Sequence, residues 1–138
     1  MYTLDISGND KKCVYRSVVI YIGISLFCNA FNIVYAKFGH GVTSIYMTYM
    51  FLIPFLLGTV VNLGIGLNDR LPVPFRTIRH FYNSGIATLT VGSCVKGIIN
   101  IAGSSTILIP VYVVAGLAML MIAIIKYVVQ VKQKRFVN

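Results

Sequence analysis

A chain of 138 residues normally makes one domain, and a soluble domain of that size carries about 25% charged residues, whereas this one carries 11%. Its hydrophobic content of 57% and mean hydropathy of +0.82 leave too little polar material to cover a water-facing surface. The only acids are Asp5, Asp10 and Asp69, Glu is absent, and the net charge is +9, which excludes a soluble enzyme, a nucleic-acid-binding domain with a basic face, and any mechanism needing paired carboxylates.

A helix crossing the ~30 Å hydrocarbon core needs about 20 largely apolar residues. The spacing of the charges leaves four such runs. The first, 17–36, is bounded by Arg16 and Lys37. It is too long for the apolar region of a cleaved signal peptide and lacks a small-x-small cleavage site, so it is expected to be retained. Residues 37–41 form a flexible turn containing His40, after which Thr43 and Ser44 offer hydroxyl caps to the next helix.

The second run, 45–67, lies in a stretch free of Lys, Arg, Asp and Glu, and Pro54 within it predicts a bend. Asn68 and Asp69 can terminate it, and the residues before Pro72 and Pro74 cannot be helical. Pro74 is placed to open a helix, with 75–81 as an interfacial lead-in carrying Arg76, Arg79 and His80. The third run, 81–102, is interrupted once, by Lys96. After a turn at 100–103, Ser104 and Ser105 are candidate caps for the fourth run, 107–129, in which Pro110 predicts a second bend. The chain therefore reads as an all-α integral membrane protein, a single transmembrane domain over 1–138 built as a four-transmembrane-helix bundle.

Lys and Arg in short loops set orientation. Lys11, Lys12, Arg16, Arg70, Arg76, Arg79, Lys126, Lys132, Lys134 and Arg135 fall on one side of an even topology, and only Lys37 falls in a loop on the other. Both termini are expected to be cytoplasmic, in a plasma or inner membrane. The basic rim is suited to anionic lipid headgroups at roughly 1 kcal/mol per residue, and no nucleic-acid partner is expected. With no Trp, the tyrosines near span ends (Tyr15, Tyr35, Tyr46, Tyr82, Tyr112, Tyr127) take the interfacial belt.

At 100° per residue, Ser17, Tyr21, Ser25, Cys28, Asn29, Asn32 and Tyr35 share one face of the first span. Ser44, Thr48, Phe51, Phe55, Thr59 and Asn62 form a mixed face on the second, and Gly85, Thr88, Gly92, Lys96 and Asn100 one on the third, with Ser93 and Gly97 beside it. The fourth is nearly all apolar apart from Tyr112 and the small residues Ala115, Gly116 and Ala118. Such faces either join helices by hydrogen bonds and close packing or line a path for a polar solute. Asn29, Asn32, Thr48, Lys96 and Asn100 all fall in the outer half of the membrane, which favours a ligand-binding site there.

Lys96 is the sharpest feature, since an ionisable side chain within a span costs about 2.5–3.5 kcal/mol near the bilayer centre and marks a functional site by default. The chain provides no intramembrane carboxylate for it. Snorkelling to the outer headgroups and binding of an anion or lipid headgroup are the competing readings. Other chemistry is not expected: the three cysteines form no C-x-x-C pair, His40 and His80 fall on opposite sides, and no cofactor, metal or catalytic triad is indicated.

The length and four-run hydropathy resemble the small multidrug resistance transporters, which use an intramembrane Glu in the first helix that this chain lacks. Residues 58–62, Gly-Thr-Val-Val-Asn, are similar to a run in the small fluoride channels, where it opens a helix rather than closing one. Neither family is assigned. The expected function is a small transport or channel-type protein, or a subunit of one, handling a polar or anionic solute or lipid headgroup, and not an enzyme. It is expected to be homo-oligomeric, because four short helices enclose little room and the third carries a small-residue face. The alternative is a noncatalytic accessory subunit packed against a larger membrane partner.

Overall fold

A computed structural model describes the backbone of residues 2–39, 43–68, 71–104 and 106–137, and side chains from residue 11 onward within these ranges except 135 and 137. The expectations for His40, Asp69, Arg70 and Ser105, and for the side chains of Asp5, Asp10 and Arg135, lie outside the described residues.

All regular structure among the described residues is helical: α1 (Tyr2–Phe38), α2 (Ile45–Thr48), a π-helix (Pro54–Val60), α3 (Val61–Leu67), α4 (Arg76–Ile101) and α5 (Leu108–Val137). Three stretches, Lys11–Phe38, Arg76–Ile101 and Leu108–Lys134, are long and apolar enough to cross a membrane. About a fifth of the most apolar window of each is buried within the chain (22%, 22% and 17%), so most of their surface faces the surroundings, as in a membrane-embedded protein.

Several expected boundaries move. α1 runs 37 residues, about 55 Å, so helix begins well before the first apolar run at residue 17. The expected interfacial lead-in belongs to α4, which starts at Arg76 after the N-cap Phe75. Pro110 does not bend a helix interior. It is the third residue of α5, in the first turn, where backbone N–H groups have no intrahelical acceptor to lose.

The second run departs furthest, because it is not one helix. The ring of Pro54 clashes with the carbonyl four residues back, Met50 O, which instead accepts the Ile53 N–H at 3.3 Å. The turn before it tightens in the same way, with Leu52 N–H donating to Tyr49 O at 3.1 Å. Beyond Pro54 the backbone widens into the π-helix and recovers α geometry only at Val61.

The hairpins are antiparallel. Val14 and Tyr15 of α1 pack near Gly66, Tyr21 packs on Gly58, and Met47 packs on Gly97 of α4. The start of the α1 span, the 68–75 connection and the end of α5 thus lie at one end of the molecule, here the terminal end; the other two connections lie at the far end. At the terminal end, the buried Gln130 clasps the connection: its Nε2 donates to Val73 O at 2.9 Å and its Oε1 accepts from the Phe75 N–H at 3.2 Å. Tyr127 OH adds a bond to Pro72 O at 3.1 Å. At the far end α4 closes with Gly103 at φ +68, the Ser104 N–H on Ile99 O and the Gly103 N–H on Asn100 O, a Schellman cap.

α4 is the central element. Its small residues, expected to share one face, serve two neighbours. Gly85 and Gly92 receive α5, where an added Cβ would sit 2.9 Å from Leu120 Cγ and 2.8 Å from Tyr112 Cβ, respectively, while Gly97 receives α2. The face that suggested self-association is therefore used within the chain. Tyr21, Ile86 and Leu120 form the central cluster, with Ile53, Leu57, Tyr82 and Leu89 around it.

Gly85→Val forces α4 and α5 apart and is expected to destabilise the fold by about 1–3 kcal/mol, read as a lowered unfolding midpoint in detergent. Gln130→Leu leaves Val73 O and the Phe75 N–H unpaired, and a loss of about 1–3 kcal/mol is expected in the same assay.

Candidate functional site

At the far end, four residues of α4 one helical turn apart or less, Ser93, Lys96, Gly97 and Asn100, hold the short α2 in place. Met50 N–H turns to Met47 O at 3.4 Å, and the carbonyl of Tyr46 takes a bond from Ser93 Oγ at 2.8 Å. Ser44 is the N-cap with extended backbone, but its hydroxyl makes no cap bond. It accepts instead from Asn100 Nδ2 at 3.1 Å, while the Ser44 carbonyl takes the Thr48 hydroxyl and the Met47 and Thr48 N–H groups.

Lys96 is half-buried, and its Nζ lies 3.8 Å from the centroid of the Tyr46 ring. The intramembrane cation is thus seated on the negative face of an aromatic ring, which stabilises it without a carboxylate. By its place near a span end Tyr46 reads in the sequence as a member of the interfacial belt. Its position in the first turn after Ser44, at the depth of Lys96, was the available signal for this pairing.

Of the expected site residues, Lys96 and Asn100 fall in this cluster. Thr48 is exposed on α2 with its hydroxyl turned back to the backbone. Asn29 is exposed and Asn32 half-buried on α1, and among the described residues neither hydrogen-bonds to the cluster.

The middle of the molecule holds a second polar group, around the π-helix. Gly58 sits against the Tyr21 ring, where any Cβ would overlap it. Tyr82 OH donates to Leu57 O at 2.6 Å, and Asn62 Nδ2 donates to Gly58 O at 2.6 Å. Ser17, Ser25, Thr48, Thr88 and Thr90 each bond the carbonyl four residues back, the ordinary solution for a hydroxyl on a membrane helix. Thr59, inside the π-helix, does not. It is only 6% exposed, and its Oγ1 has no hydrogen-bond partner among the described residues. A buried polar atom of this kind calls for a physical account, and π-helical turns recur at functional sites. Only the mixed face containing Thr59 and Asn62 was legible beforehand; the break that isolates the hydroxyl was not.

These groups can bind and orient a polar solute by hydrogen bonding. Comparison of the chain with protein-family models, curated proteins and solved structures finds no match.

In a double-mutant cycle of Lys96→Met and Tyr46→Leu, each change is expected to lower stability, with a coupling energy of about 0.5–2 kcal/mol. Strict additivity in detergent unfolding would remove the Lys96–Tyr46 interaction from the account.

Proposed function

We propose that the chain is a small four-span membrane protein of transport or channel type, with both termini cytoplasmic, that handles a polar or anionic solute or lipid headgroup. In this reading the interrupted second segment completes an even topology in which ten of the twelve Lys and Arg share one side. That segment, from Ile45 to Leu67, has 23 residues' worth of apolar chain but only short helical pieces.

One observation carries the functional reading: within the interrupted segment Thr59 is buried with no hydrogen-bond partner for its hydroxyl among the described residues, next to Gly58, which meets the Tyr21 ring and Asn62 Nδ2. Interrupted helices in transporters place substrate and ion contacts near the bilayer midplane, because irregular backbone there is tolerated only where protein or a cavity covers it. In this reading Lys96 and Asn100 line the outer approach with Asn29, Asn32 and Thr48. The Lys96 ammonium then exchanges the Tyr46 ring for an arriving anionic group.

A noncatalytic accessory role beside a larger membrane partner, or a second copy of the chain, is supported by a different observation. Asn29 is exposed on an apolar helix and, among the described residues, makes no intrachain hydrogen bond, and membrane helices pair such groups across interfaces. A discrete homo-oligomer in mild detergent favours the first reading, and an obligate co-purifying partner favours the second.

Thr59→Val preserves shape and removes the hydroxyl. In proteoliposomes followed by chloride electrode and by glycerol-dependent light scattering, the wild type is expected to pass at least one probe above the protein-free rate, and Thr59→Val to slow it about tenfold, equivalent to about 1.4 kcal/mol. Protein-free rates for both probes in the wild type would overturn the transport reading for these solutes.

A further inference from the structure

At the terminal end, α1 and α4 meet through polar side chains, while their close backbone packing is with other elements. Arg79 Nη2 donates to Ser17 Oγ at 3.2 Å, and one turn deeper Tyr21 OH donates to Asn83 Oδ1 at 2.7 Å. A guanidinium has five N–H donors, and among the described residues Arg79 uses one bond, to a neutral hydroxyl.

The surroundings are cationic. Arg76, Arg79 and Asn83 follow one another by three and four residues on α4, so they share a face, and His80 lies beside them. Arg76 and His80 are exposed, as is Arg16 next to Ser17 on α1. Even with all three acids of the chain brought to this end, the eight Lys and Arg described there keep a surplus of five positive charges. Such a surplus attracts a diffusible or lipid-borne anion.

We infer that the α1–α4 junction at the terminal end binds a phosphate oxyanion, presented by the headgroup of an anionic lipid. The planar Arg79 fork matches two phosphate oxygens, and Ser17 holds the guanidinium in place behind them. Arg16 and Arg76 form the rim. A lipid is favoured over a free phosphate because the Ser17 side of α1 continues along the span into exposed apolar side chains, Ile20 and Ile24, along which an acyl chain can lie. The site rests on the reading that this end meets an anionic leaflet, and it is separate from the Thr59 and Lys96 groups.

The test uses the full chain, delipidated in a non-ionic detergent, with thermal unfolding as readout. Saturating phosphatidylglycerol is expected to raise the melting temperature by about 5 °C, and phosphatidylcholine by no more than about 1 °C. Arg79→Gln is expected to lose most of the phosphatidylglycerol shift. Arg79→Lys, which keeps the charge and the least disturbed fold, is expected to lose more than half of it because the fork is gone. Lys126→Gln, whose ammonium lies over the Phe81 ring at 4.9 Å, is expected to keep it.

Equal shifts in wild type, Arg79→Gln and Arg79→Lys overturn the site, as does a phosphatidylcholine shift as large as that of phosphatidylglycerol. A full shift from millimolar glycerol phosphate alone overturns the lipid assignment in favour of a soluble phosphate ester. Labelling an amino-terminal tag on intact cells checks the underlying orientation independently: an external tag removes the cytoplasmic reading and leaves the binding measurement as it stands.

Discussion

Pro54 imposes the constraint on which the rest of this structure depends. A proline within an apolar segment removes one N–H and displaces the carbonyl four residues back, and hydrocarbon offers no donor to replace what is lost. The chain answers with side chains. Ser93 donates to Tyr46 O, Tyr82 to Leu57 O and Asn62 to Gly58 O, so polar backbone at the break and along the π-helix is covered by protein. Two of these donors come from α4, which accounts for polar groups on a helix that otherwise packs through glycine.

From that requirement the central place of α4 follows. It must approach the broken segment closely enough for short side chains to reach backbone carbonyls, and Gly97 against Met47 permits this. It must also carry α5, and Gly85, Gly92 and Gly116 permit that. Where lipid gives no hydrophobic drive for helices to associate, close packing and hydrogen bonds supply the association energy. Lys96 fits the same logic: the stripe that grips α2 also places the Tyr46 ring under its ammonium, so a charge that looked unpaired has a partner supplied by the break.

The parts of the site differ in how far sequence could reach them. Lys96 and Asn100 stand out because ionisable and amide groups are rare and costly in apolar runs, and both fall in one cluster. Asn29 and Asn32 stand out for the same reason but remain apart from it, since helical periodicity assigns a face without saying which neighbour covers it. Gln130, just beyond the fourth apolar run, carries no signal in the sequence; its importance comes from 71–75 folding back beneath it. Arg79 reads in the sequence as a topology signal and an interfacial cation, yet it also bridges α4 to Ser17 of α1.

Charge spacing and apolar run length alone determined a helical, membrane-embedded chain with four apolar segments, because insertion into hydrocarbon depends on composition over about 20 residues. Pro54 was visible as a defect from its chemistry. Only the tertiary structure decided that this defect becomes a π-helix, that Thr59 is left without a partner among the described residues, and that Tyr46 covers Lys96. Each depends on which side chains arrive from distant helices to satisfy the interrupted backbone, and no local pattern encodes that.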